Sequence, residues 1–315
     1  MNQSKKTVNN HFIPCFWSAF WNLEYLDGHR HSLTKKGKPR KQVLHLFKIK
    51  QQIPLTTIAE KCFVEKNLYN TDFFHENIAT YVKENFPADY KFPEGLTDED
   101  VGITLDIENI FSVLESACVP SLFETIKTGK IEDLGTKTYL SVFIFLQMVR
   151  TPVLWHYLFG ASGTSKDKFN EFEKLENRFR FLYQFRKSFE SHESIINAIG
   201  PFLSSKWVLY RTRRPIFPIS DHPVLFNNGK FLVALSPDLM IEILFRKKIL
   251  PSATPCKHRN GYNFLKYRMF KTALANQAER EIVFCGDNQY TSWSKTLKYR
   301  NPETTVLLKL FRKFM

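Results

Sequence analysis

The sequence predicts an α+β protein in which a helix-rich N-terminal two-thirds packs on a mainly antiparallel C-terminal sheet. Apolar residues recur at helical spacing between about residues 104 and 191, then fall into short runs bounded by turn residues beyond Pro201. Helices first and strands later place the helices on one side of the sheet. No repeat, low-complexity tract or Pro/Gly/Ser linker divides the 315 residues. They read as a single domain over 1–315, with a helical portion at about 55–200 and a strand-rich portion at about 201–315.

In chain order, FWSAFWNLEYL is a short helix candidate. From Arg30 to Lys50 eight Lys/Arg occur without an acid, and VLHLFKIK within that run alternates as a strand does. The run is either a solvated hairpin or a loop that tracks phosphates. Six Asp/Glu and no Lys/Arg follow in FPEGLTDEDVGITLDIE, so charge is polarised along the chain.

A helix is predicted over roughly 104–128, where Ile107, Ile110, Phe111, Leu114, Ala117, Cys118 and Leu122 form one apolar stripe. Glu108 and Glu115 fall on its border, and Pro120 is expected to kink or break it. Segment 139–150 is apolar nearly all round and reads as a central helix, with Gln147 and Arg150 sharing a face with Phe143. A long amphipathic helix carries Phe169, Phe172, Leu175, Phe179, Leu182 and Phe189 to about Ser191. Strands are expected at KWVLYRT, PIFPIS, FLVALS, EIVFCG and TVLLKL, with a turn at NNGK and a helix at about 262–279.

Thirty Phe and 15% aromatic residues supply ample core material and exclude global disorder. The five cysteines are scattered without a CxxC pair, so neither a disulfide framework nor a thiolate zinc site is indicated. A reducing, cytoplasmic setting is expected, because the N-terminus carries no apolar leader core. The most apolar window holds Gln147 and Arg150 and breaks at Pro152, short of the ~20 residues a membrane span needs. Net charge of +14 favours partners with phosphates or acidic lipids.

Arg150 is the sharpest single signal. A guanidinium stays charged, so inside an apolar helix it must meet carboxylates, carbonyls or a ligand anion. Glu115, Glu108 and Asp221 are the available partners, and the outcome is either a buried ion pair or a bidentate clamp on substrate phosphate. Asp221 follows an apolar strand and precedes Pro223; it is either a turn residue or a functional group at a strand end. His11, Glu115 and Asp221, with His222 beside them, would suit a nitrogen–oxygen metal set or an acid/base pair. No HExxH, P-loop, GxSxG or GxGxxG motif is present.

The segments HFIPCFW, CFVEKNLY, IENIFSVLE, FLQMVRTP, WVLYRTRRPIFPISDHPVLF and FLVALSP occur in an order that resembles the DUF4238 family of uncharacterised proteins. The likeness runs from His11 to about Phe284. It implies a shared residue set of His11, Pro14, Glu115, Gln147, Arg150, Ser220, Asp221 and Pro223, and no reaction. Cys15 stands where the family usually has Gln, and His222 where it usually has Asn.

The leading expectation is a phosphodiesterase- or nuclease-like enzyme acting on nucleic acid or a nucleotide, and a defence or toxin role would suit it. Arg150 and Gln147, with Arg213 and Arg214, would hold phosphate. Glu115 and Asp221 would hold a divalent ion such as Mg or Mn or activate water, and His11 would serve as ligand or general acid. The alternative is a non-enzymatic module that binds nucleic acid or protein, with the polar set as a structural network. Association with acidic membrane surfaces rests on net charge alone.

Overall fold

The computed structural model describes residues 9–31, 37–66, 68–69, 107–152, 154, 191–244 and 256–300, and the statements below concern these. Two sheets and a two-stranded ribbon organise them. In the ribbon, β1 (Asn9–His11) pairs antiparallel with β4 (Val64–Lys66). A four-stranded antiparallel sheet joins β3 (Ile53–Ile58), β2 (Val43–Lys48), β11 (Glu281–Phe284) and β6 (Ile219–Ser220) in that order. The larger sheet has the order β10 (Lys257–Asn260), β5 (Lys206–Arg211), β9 (Leu239–Leu244), β8 (Lys230–Ser236), β7 (Val224–Asn227). It is antiparallel except where β10 runs parallel to β5.

Mixed α+β architecture is therefore correct, but the expected division by chain position holds only in part. β2 and β3 belong to the same sheet as β6 and β11, so N-terminal residues help build the C-terminal sheet. The alternation in β2 buries Leu44 and Leu46 on one face, Phe47 is buried on the other, and strand pairing at such sequence separation has no local signal.

The helices are α1 (Cys15–Ser18), α2 (Leu23–Arg30), α3 (Ile107–Thr128), α4 (Leu134–Val149), α5 (His192–Leu203), α6 (Phe264–Gln277) and α7 (Asp287–Lys298). The single helix expected at the N-terminus is broken at Asn22, whose side chain caps α2 by accepting from the Tyr25 N–H at 3.0 Å. α3 continues through Pro120, which lies on its exposed side. Its buried stripe is Phe111, Glu115, Cys118, Leu122 and Ile126, so Glu115 sits within the stripe and Ala117 outside it. α4 is buried over most of its length, as its composition requires. The stripe at 169–189, the strand expected at TVLLKL and most of the acidic stretch lie outside the described residues.

Aromatic side chains join the two ends of the chain. Trp17 and Trp21 are fully buried, and their indole N–H groups donate to the Leu235 carbonyl at 3.0 Å and the Phe217 carbonyl at 2.8 Å. Asn228 and Gly229, at φ 49° and 75°, close the β7–β8 hairpin in two residues, as NNGK predicts. No helix among the described residues is long and apolar enough to cross a membrane.

Candidate functional site

Arg150 caps the C-terminus of α4 and is only 2% exposed. Its guanidinium donates to the Glu115 carboxylate on α3 and to the backbone carbonyl of His11 on β1. Nε donates to the Tyr69 hydroxyl at 3.3 Å, and that hydroxyl donates to the Arg150 carbonyl at 3.1 Å. Gln147, one helical turn earlier, donates to Glu115 Oε1 at 2.9 Å. Glu108 lies 3.7 Å away, and the Phe111 ring centroid is 4.8 Å from the guanidinium carbon. Burial alone would lower the Arg150 pKa; Tyr69, Glu115 and Glu108 outweigh it and raise it, so the group stays charged.

This arrangement fastens a strand to two helices. Each of its three nitrogens already donates to a protein acceptor, and aromatic rings lie against the guanidinium. Of the residues named from sequence, Glu115, Gln147 and Arg150 meet here, together with the main chain of His11. The His11 imidazole engages the Glu60 carbonyl instead, with 3.0 Å between Nε2 and the oxygen. Burial, opposed by that hydrogen bond and aided by Arg40 and Arg150, lowers its pKa and favours the neutral ring.

Asp221 occupies a second network. It is 1% exposed, and its carboxylate accepts from the backbone N–H of Glu279 at 3.1 Å and of Arg280 at 2.8 Å, fixing the turn between α6 and β11. Arg280 then pairs with Glu65 on β4 and lies over the Phe12 ring, 5.7 Å from its centroid. Arg150 thus holds β1 and Arg280 holds β4 of the same ribbon. No hydrogen bond or ion pair among the described residues links Asp221 to Glu115, Gln147 or Arg150. Burial, with Glu279 adding to it, pushes the Asp221 carboxyl up to about 7 against the two backbone N–H groups.

Ser220 makes a local turn, donating to the His222 carbonyl at 3.0 Å and accepting from its N–H at 3.3 Å. The His222 ring is buried, neither nitrogen has a hydrogen-bond partner among the described residues, and burial pulls its pKa down to about 4. No group of three His, Cys, Asp or Glu side chains among the described residues has the arrangement of metal ligands. Glu115 and Asp221, named together as a metal pair, sit in the two separate networks.

The basic residues divide into those engaged by the protein and those exposed at its surface. Arg211 is half-buried and donates to the Lys127 carbonyl at 3.3 Å and to that of Ile126, capping α3. Gly129, at φ 72°, passes so close that an added Cβ would stand 2.8 Å from this guanidinium. Arg213 and Arg214, just beyond β5, are exposed, as are Lys257 and Arg259 on β10. The register pairs Arg259 with Tyr210 and Asn260 with Arg211, which puts these four cations along one edge and end of the sheet.

Two clefts open elsewhere. One, of about 550 Å³, lies between α6 and the β7–β8 turn; the other, of about 640 Å³, is lined by residues including His45, Tyr267, Cys285 and Gln289. Neither is lined by His11, Glu115, Gln147, Arg150 or Asp221. Sequence reasoning missed Tyr69, Glu65 and Arg280 as members of the two networks; for Tyr69 the signal was its place at the end of CFVEKNLY.

A family model described as "Protein of unknown function (DUF4238)" matches residues 9–287. That span holds both networks. No curated protein and no solved structure matches the chain.

Proposed function

Since the chain belongs to the DUF4238 family, whose description assigns no activity, we propose its function from its own geometry: a nucleic-acid-binding module with an internal polar frame. The observation that carries this reading is how the cations are divided. Arg150 is spent inside on Glu115, Tyr69 and the His11 carbonyl. Arg213, Arg214, Lys257 and Arg259 are exposed and make no ion pair among the described residues. Exposed cations aligned along one edge and end of the sheet suit a string of phosphates, and the net charge of +14 supplies the long-range attraction.

The experiment is a fluorescence-anisotropy titration of labelled RNA and DNA at two salt concentrations. Binding should weaken steeply with salt, and Arg213→Glu/Arg214→Glu should weaken it without lowering Tm. No binding at low salt, or binding indifferent to the charge reversal, would sink the proposal.

One observation favours hydrolysis as a second reading. Asp221 carries a carboxyl shifted to about 7, beside a histidine whose ring has no hydrogen-bond partner among the described residues, and near-neutral groups suit acid/base work. Its burial weighs against this. Incubation of the protein with RNA, DNA and nucleotides plus Mg²⁺ or Mn²⁺ tests it: cleavage lost in Asp221→Asn supports hydrolysis, and absence of cleavage removes it.

A further inference from the structure

We propose that the cleft between α6 and the β7–β8 turn is a subsite for an unstacked base of single-stranded nucleic acid, an inference that rests on the nucleic-acid reading above. No acid occurs between Cys256 and Ala278, a stretch that carries Lys257, Arg259, Lys266, Arg268 and Lys271. Lys266 is engaged by Tyr210 and Glu242, and Lys271 by the Ser292 carbonyl. Lys257, Arg259 and Arg268 remain exposed, and Arg268 makes no ion pair or hydrogen bond among the described residues. The α6 face that carries Arg268 also carries unusually bare apolar groups: Phe264 is 80%, Leu265 64% and Met269 36% exposed.

The cleft has the contents a base requires. Its walls include Phe226, Leu265 and Met269 as apolar surface, Asn228 and Asn276 as amides, and Arg268 as the single charge. Stacking on an aromatic face such as that of Phe226 is worth about 1–3 kcal/mol per base, amides can read base edges, and the arginine is placed for the adjoining phosphate. About 550 Å³ lies within the range of small-ligand pockets.

Other occupants fit less well. β7 is an edge strand, but the Gln277 amide already pairs with it, donating to the Phe226 carbonyl at 2.7 Å and accepting from its N–H at 3.0 Å. A peptide therefore cannot add as a strand at that point. Amides in a concave wall gain nothing from a lipid bilayer. Duplex bases are stacked and paired, and extruding one costs a few kcal/mol, so a single strand delivers a base to the cleft at lower cost.

The test uses the full-length protein and fluorescein-labelled single-stranded RNA, with the same sequence as a duplex. Leu265, Arg268 and Met269 are all exposed, so Leu265→Ala/Arg268→Ala and Met269→Asp should fold with wild-type Tm. Each should lower single-strand affinity about tenfold and leave duplex affinity unchanged. Strands with 4-thiouridine should crosslink to α6 in the wild type and lose that crosslink in the variants. If Arg213→Glu/Arg214→Glu abolishes binding while the cleft variants bind single strands normally, the base subsite is wrong and the broader reading stands. If no nucleic acid binds, both fall. If the cleft variants instead lose binding to phosphatidylserine vesicles and keep their oligonucleotide affinity, the surface docks to membranes and the subsite is overturned.

Discussion

Gln147 donates to Glu115 Oε1 at 2.9 Å, the same oxygen that accepts a hydrogen bond from the Arg150 guanidinium. One carboxylate oxygen therefore ties two positions of α4 to the buried stripe of α3. The charge on Arg150 is tolerable inside because that carboxylate, a phenol and a backbone carbonyl share it.

Arg150→Ala should destabilise the fold by about 3–5 kcal/mol, because it leaves Glu115 buried and uncompensated. Arg150→Lys should recover only part of this, since an ammonium cannot reproduce the planar fork that spans Glu115 and the His11 carbonyl. Gln147→Ala should cost less, about 1–3 kcal/mol. Urea unfolding of the three variants gives the order, and nucleic-acid affinity measured well below each Tm should stay at the wild-type value.

Asp221 and His222 are adjacent and buried, with opposite shifts. Asp221 rises from 3.8 to about 7, so between those values the native state holds the extra proton and stability falls as pH rises. His222 drops from 6.5 to about 4, so there the unfolded state holds the extra proton and stability falls as pH drops. Across roughly pH 4–6.5 the two slopes, each about 1.4 kcal/mol per pH unit, cancel. Relative to the wild type, Asp221→Asn should therefore gain stability as pH rises through this window, and His222→Asn should lose it. Parallel curves for all three proteins in urea titrations from pH 4 to 7 would refute the pairing.

Lys137 is buried on α4, and its ammonium donates to the Leu203 carbonyl at 2.7 Å and the Ser205 carbonyl at 3.1 Å, over the Trp207 ring. It caps the C-terminal end of α5, where a cation is attracted to the negative end of the helix dipole. Lys137→Met keeps the stem and removes the charge; it should lower stability by about 1.5–3 kcal/mol, read from chemical denaturation.

What the sequence made legible was local. The period of α4, the NNGK hairpin and the candidacy of Arg150 all follow from spacing within a dozen residues. The partner of Arg150 was narrowed to Glu115, Glu108 or Asp221, and the fold selects Glu115, with Glu108 nearby. The His11 carbonyl was beyond reach, because a main-chain acceptor has no letter of its own. β10 was missed because Lys-His-Arg-Asn has neither apolar alternation nor burial. The pairing of β2 with β11 was missed because nothing near Val43 announces a partner near Glu281.

The last expectation concerns how strongly salt weakens binding. Each phosphate neutralised on a single strand contributes a slope of about −0.7 to log K against log salt. Lys257 and Arg259 are exposed and free of ion pairs among the described residues, so removing either should make the slope shallower by about 0.7. Arg211 caps α3 and Arg150 sits inside, so Arg211→Ala and Arg150→Ala should change Tm and leave the slope alone. Titrations at four or more salt concentrations separate the two classes. A slope that shifts with Arg150 and ignores Lys257 would mean that phosphate reaches the interior network, and the division between frame and binding edge would have to be reversed.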